Sequence, residues 1–140
     1  MTKADLSKAF CLDSFALLSF LLGQAAAQRV RDVLIRARND DVLVWMCEVN
    51  LAEVSYQIIR RFGQERWATQ LHTVAQLPIQ FVVGDRALSQ AAAQLKAAYA
   101  ISLADAYCAA LAQREGATVL TGDPEFKQLD SILAIDWLQR

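Results

Sequence analysis

Four carboxylates with unexpected neighbours stand out in this 140-residue chain: Asp13, Glu53, Asp105 and Asp123. Glu53 and Asp105 lie inside the apolar stretches NLAEVSY and SLADAYCAAL, where a helix facing a core would carry hydrophobic residues. Asp13 and Asp123 each follow a run that reads as a strand and precede one that reads as a helix. Acids drawn together are costly, since two unit charges about 4 Å apart repel by roughly 4 kcal/mol even at an effective dielectric of 20. Without a cation at least one of them would hold its proton. An all-oxygen set with no histidine or cysteine suits Mg²⁺ or Mn²⁺, not zinc. Such an ion neutralises the cluster, activates a water and stabilises the leaving oxygen of a phosphodiester.

A plainer reading competes for each acid taken singly. Asp13, Asp85 and Asp123 are all placed to cap helix N-termini, a role worth about 1 kcal/mol. Glu53 follows Asn50 by three residues, and Asp105 follows Ser102 by three. Both are capping-box spacings, in which the carboxylate reaches back to the cap's backbone N–H.

The elements that would position these residues follow from apolar periodicity and glycine stops. Strands are expected at Phe10–Leu12, Val42–Cys47, Ile79–Val83, Ala117–Leu120 and Ile132–Trp137. Helices are expected from Asp13 to Gly23, Ala25 to Arg38, Asn50 to Phe62, Gln64 to Gln76, Asp85 to Tyr99 and Ser102 to Gly116, with a short one over Pro124–Leu129. Strands separated by helices imply crossovers, hence an α/β fold with a mainly parallel sheet of four or five strands between helical layers. Such sheets place their sites beyond the carboxyl ends of the strands, where Asp13, Asp85 and Asp123 all fall.

Bulk properties narrow the function classes. Apolar residues make up 55% and charged residues 21%, a globular composition sized for one compact domain over residues 1–140. The apolar run from Phe15 to Leu22 is too short to span a bilayer. Lys3 and Lys8 precede it, but Asp13 stands at its mouth, so it reads as a core helix and not a signal peptide. Cys11, Cys47 and Cys108 have no paired spacing and read as reduced core residues of a cytoplasmic protein. His72, the single histidine, reads as a surface helix residue, with no Ser-His-Asp or HExxH pattern around it. A net charge of −1 argues against a protein that coats nucleic acid. Yet Arg29, Arg31, Arg36 and Arg38 crowd one segment, and Arg60, Arg61 and Arg66 another. Either cluster alone reads as a solvated face; beside an acidic site both become candidate phosphate contacts.

Three stretches, CLDSFALLSFLLG, EVNLAEVSYQIIRRFG and SLADAYCAALAQREGATVLTGDPEF, together resemble the PIN domain, and most closely its VapC-like toxin ribonucleases. The resemblance runs from about Ala9 to Leu138, and LADAYCAALA…TGDPEF is its most specific part. It implies an α/β/α sandwich and Mg²⁺- or Mn²⁺-dependent cleavage of RNA, with the acidic quartet falling on Asp13, Glu53, Asp105 and Asp123. It places a small polar residue at Thr121, to orient a water or an aspartate. Asp13 and Asp105 are the first choice as direct metal ligands, with Glu53 and Asp123 completing the shell. It also implies a VapB-like antitoxin as partner, and a homodimer. The apolar FALLSFLL stretch serves either an interface or a core, core being the plainer reading. Glu48 and Asp85 receive no role, Glu125 is placed either to assist the site from the short helix or, on the plainer reading, to be solvent-exposed, and the residues before Lys8 are left without explanation. The alternatives are a catalytically inactive PIN-fold binding module, or a phospho-accepting receiver. A receiver, however, wants paired acids after strand one and a lysine after strand five.

Overall fold

The structure, a computed structural model, describes residues 6–140; Lys3 and its neighbours at positions 1–5 lie outside the described residues. In chain order the elements are β1 (Ala9–Leu12), α1 (Ser14–Leu21), α2 (Ala27–Arg38), β2 (Leu43–Cys47), α3 (Glu48–Phe62), α4 (Gln64–Ala75), β3 (Gln80–Val82), α5 (Arg86–Ala98), α6 (Leu103–Glu115), β4 (Thr118–Thr121), a 3₁₀ helix (Pro124–Leu129) and β5 (Ile135–Trp137). The five strands form one sheet in the order β3-β2-β1-β4-β5. Every neighbouring pair is parallel. This is the three-layer α/β/α arrangement that alternating strands and helices predict.

Strand alternation divides the core into two layers. Phe10 and Leu12 of β1, Val44 and Met46 of β2 and Leu120 of β4 face one side, packing with Leu17, Val30, Val33, Val54 and Ile58 of α1, α2 and α3. Cys11 and Val119 face the other, against Leu88 and Ala92 of α5, Phe126 and Leu129 of the 3₁₀ helix, and α6. Each fully buried leucine or phenylalanine contributes about 1.5–3 kcal/mol. The inward residues of α6 are small (Ala106, Cys108, Ala109, Ala112), so its axis lies close against the sheet. The Sγ atoms of Cys11 and Cys108 are 3.8 Å apart, and all three cysteines are free and buried, as their spacing implies.

The helix from Asp13 behaves as core. Ser14, Ala16, Leu17 and Ser19 are buried, and Phe15, Leu18, Phe20 and Leu21 pack partly against the same layer. Gly116 closes α6 in the left-handed region at φ +61°, which glycine enters without penalty. Among the described residues no single helix is long and apolar enough to cross a membrane.

Two boundaries differ from expectation. Helix α3 begins at Glu48, because Cys47, extended at ψ 140°, leads directly into it without a side-chain cap. β5 begins only at Ile135, since the N–H groups of Ile132 and Leu133 both turn back to the Leu129 carbonyl. Topology also removes the receiver reading, whose strand order is 2-1-3-4-5, not the 3-2-1-4-5 seen here. Of the unexplained lead-in, Ser7 is tied down: its hydroxyl meets that of Thr118 at 2.6 Å and its carbonyl accepts from Arg36.

Candidate active site

Strand order reverses between β1 and β4, so the crevice of this sheet opens at their carboxyl ends. Asp13 directly follows β1, and Asp123 lies two residues past β4. The register pairs Leu12 with Leu120, so the next residues, Asp13 and Thr121, stand side by side. The Thr121 hydroxyl donates to Asp13 Oδ2 and accepts the Asp123 N–H at 2.9 Å. Thr121 thus fixes both aspartates, the second of the two roles the sequence offers it. Asp85, by contrast, follows β3, the outermost strand, and stands exposed away from the reversal, capping α5 through the Leu88 N–H.

Caps and site residues prove not to be exclusive. Asp13 caps α1 by accepting the Ala16 N–H at 2.9 Å, and Asp123 caps the 3₁₀ helix by accepting the Glu125 N–H at 2.9 Å. Both capping-box expectations fail as reciprocal motifs. Glu53 lies in the second turn of α3, where it accepts the hydroxyl of Ser14. Asn50 is no cap: it is fully buried, and its Nδ2 donates across to the Ala104 carbonyl at 3.0 Å. The Asp105 N–H does donate to Ser102 Oγ at 3.1 Å, but the returning acceptor for the Ser102 N–H is Glu125 Oε2 at 3.2 Å.

Glu125 therefore corrects the expectation of solvent exposure. It is half-buried, and its carboxylate lies with those of Asp105 and Asp123 in one group whose oxygens fall within 4.8 Å of one another. Sequence reasoning ranks a role in the site second, because an acid in the first turn of a short helix usually serves only that helix's dipole. The available signal was its place two residues after Asp123, in a 3₁₀ turn that points both side chains back over the sheet edge. Glu48 is exposed and stays outside the site.

A cleft of about 470 Å³ opens over these groups, lined by Ser14, Glu53, Gln57, Asp105, Asp123 and Glu125, with Arg140 as the basic residue among its walls. Asp13 lies beneath it, only 1% exposed. Burial pushes the Asp13 carboxyl up to about 7; the Thr121 and Ala16 hydrogen bonds oppose this, and the charges of Asp123 and Glu53 add to it. Asp105 is raised to about 9, by burial first and then by the neighbouring carboxyls of Glu125, Asp123 and Asp13. One oxygen of Asp105, Oδ2, is buried with no hydrogen-bond partner. Acids crowded this way, all offering oxygen and with a buried acceptor unmatched, fit a hard divalent cation. Asp105, Asp123 and Glu125 are placed to hold one directly, with Asp13 and Glu53 within electrostatic reach.

The two arginine clusters differ. On α2, Arg29 pairs with Asp136 at 2.5 Å and Arg36 with Asp41 at 2.9 Å, while Arg38 donates to the Gln76 carbonyl. Arg60, Arg61 and Arg66 instead lie over aromatic rings at the far end of α3 and the start of α4. His72 is exposed on α4, as expected.

Comparison with known proteins agrees with this architecture. A PIN domain family model matches residues 10–132. No curated protein matches the sequence significantly. Among solved structures, VapBC2 from Rickettsia felis, bound to a DNA fragment from its promoter, superposes with a TM-score of 0.74 at 15% identity, covering 94% of this chain and 99% of that one. VapC20 of Mycobacterium tuberculosis, a sarcin-ricin loop cleaving toxin, superposes at 0.69 with 14% identity, covering 86% and 94%. The VapBC-5 toxin–antitoxin member from the same organism superposes at 0.62 with 21% identity, covering 95% and 99%.

Proposed function

The chain belongs to the PIN domain family, with a VapC-like fold, and on that premise we propose that it is a divalent-cation-dependent endoribonuclease. The observation that carries this reading is the buried Asp105, its Oδ2 unpartnered, among the carboxyls of Asp123 and Glu125. Such an arrangement is unfavourable unless a cation completes it.

Asp105, Asp123 and Glu125 would hold Mg²⁺ or Mn²⁺, with Asp13 and Glu53 completing the negative set. The bound cation supplies charge neutralisation and lowers the pKa of a water. The chain's own groups orient this set. Thr121 holds Asp13 and the Asp123 backbone, Ser14 holds Glu53, and Asn50 ties the first turn of α6 to α3. A phosphodiester in the cleft would meet Gln57 and Arg140 on the walls, groups able to donate to its non-bridging oxygens. The acids of the cleft would hold the cation and take up the proton of the attacking water, so none of them need form a covalent bond to phosphorus.

By the same family reading, a VapB-like antitoxin controls the cleft, and the chain pairs with a second copy in the cytoplasm. The VapBC assemblies among the structural neighbours support the antitoxin part of this reading. Purified protein should cleave RNA only with Mg²⁺ or Mn²⁺. Asp13→Asn should lower the rate by about 100-fold or more while the circular dichroism spectrum is unchanged. Equal cleavage by the variant, or cleavage undiminished in EDTA, overturns the reading.

A further inference from the structure

Helix α3 leaves the acid cleft with a polar, aromatic and basic stripe. Glu53 and Gln57 line the cleft, and Arg60 follows at the i, i+4, i+7 spacing that keeps residues on one helix face. Tyr56 flanks the same face, with the Arg60 guanidinium 5.1 Å from its ring centre. The ring is nevertheless 46% exposed. Six residues beyond Tyr56, at the end of α3 and on another face of it, Phe62 is 44% exposed between two further guanidiniums, Arg61 at 5.2 Å and Arg66 at 4.9 Å. Among the described residues none of these three arginines makes an ion pair, whereas Arg29, Arg36 and Arg114 do.

Exposed rings stacked with guanidiniums that lack carboxylate partners match what a single nucleic-acid strand presents, flat bases and regularly spaced phosphates. An acidic cleft alone would repel that strand, so cations beside it have a function that the protein's own fold does not supply. The distance also suits. Seven residues of helix separate Arg60 from Glu53, about 10 Å along the axis. That is within a few nucleotides along a single strand.

We propose that Tyr56, Arg60 and the Phe62 cluster form a track for single-stranded RNA running out of the acid cleft along α3. Tyr56 stacks a base, and Arg60 contacts a phosphate within a few nucleotides of the scissile bond. This rests on RNA being the substrate, and binding can be measured separately from cleavage.

The test uses the full chain carrying Asp13→Asn, so that RNA stays intact, and a fluorescently labelled 12-nucleotide single-stranded RNA in Mg²⁺ across a salt series. Adding Tyr56→Ala should weaken binding by about 5- to 150-fold, and Tyr56→Phe should keep most of it. Arg60→Ala should lower the slope of log affinity against log salt by about 0.7, the value for one phosphate on a single strand. Arg114→Ala, at the far end of α6 and paired with Glu115, should change nothing. In the cleaving protein, Tyr56→Ala and Arg60→Ala should raise KM for the 12-mer and leave cleavage of a dinucleotide unchanged.

Unchanged affinity and salt slope in both variants overturn the track, as does a failure of the parent to bind the 12-mer. So does unchanged RNA affinity combined with an altered sedimentation coefficient, which would make the patch a protein interface. Weakened binding without cleavage by the unsubstituted protein would instead keep the track and remove the ribonuclease assignment.

Discussion

Two hollows lie at opposite edges of the sheet. At the amino ends of β1, β2 and β3 a hollow of about 650 Å³ is walled by residues including Lys8, Asp40, Asp41, Leu77 and Pro78. At the carboxyl ends of β1 and β4 lies the acid cleft, smaller at about 470 Å³. Both contain acids, in opposite company. Asp41 accepts from Arg36 at 2.9 Å and from Lys8 at 3.4 Å, and these cations, Arg36 foremost, hold its carboxyl below the usual range. Asp13 and Asp105 have burial and other acids around them, and theirs are pushed up. An acid matched by its own chain's cations has little left to bind with, whereas acids facing acids either keep their protons or take up an outside cation. Volume would have selected the wrong hollow; charge balance selects the other.

The largest test of that contrast is substitution in parallel. Asp105→Asn should remove at least about 100-fold of the RNA cleavage and abolish stabilisation by Mg²⁺. That stabilisation is about 2.7 kcal/mol in the parent at a cation concentration a hundred times its dissociation constant. Asp41→Asn should leave both quantities intact. If the two variants lost activity equally in a gel assay of labelled RNA, the contrast would collapse.

Acidity supplies the next test, because the hollows should respond to pH with opposite signs. Asp13 stands near 7 when folded, against 3.8 for an unperturbed aspartate. Its proton is therefore held more tightly in the folded state, so its stabilising effect is complete below about pH 4 and is lost as pH rises through 7. At about 1.4 kcal/mol per pH unit over that interval, the loss is on the order of 4 kcal/mol. Urea denaturation in EDTA at pH 4.5 and 7.5 should show the decline, Mg²⁺ should relieve it, and Asp13→Asn should reduce it to the part that the raised Asp105 carboxyl contributes. Asp41, displaced downward, contributes stability that is present at neutral pH and lost as acid protonates it.

A smaller effect is expected from the uncharged scaffold. Asn50→Ala removes the side-chain hydrogen bond to the Ala104 carbonyl and should lower stability by about 0.5–1.5 kcal/mol. It should also weaken Mg²⁺ binding, measured by titration calorimetry, since α6 loses its tie to α3. Smallest of all is Lys8→Ala at the amino edge, 76% exposed in its side chain, which should leave the melting temperature within experimental scatter.

Much of this architecture is legible in the sequence. Apolar runs and glycine stops locate every strand and helix, because each element's local pattern agrees with its final environment. The start of α3 lies earlier than expected, at Glu48, because Asn50 has the chemistry of a cap while its amide is used in a contact with Ala104, 54 residues away. Strand order is equally invisible: five parallel strands could be arranged in several ways, and only the observed order separates Asp85 from Asp13. Of the acids, Asp13 and Asp123 announce themselves by position, and Glu53 and Asp105 through their apolar surroundings. Glu125 stays ambiguous because its partner, the Ser102 N–H, is brought to it by tertiary packing.

The adjacency of β1 and β4 has a consequence for the time course of synthesis. The strand that delivers Asp13 is made long before the neighbour that closes its inner edge, Thr118–Thr121, and the Thr121–Asp13 hydrogen bond joins residues 108 apart. A growing chain can carry Asp13, Glu53 and Asp105 and still lack the strand that sets them around a common point. Chains that stop before β4 lack the assembled cleft, so whatever the cleft does waits for the synthesis of Thr118–Thr121.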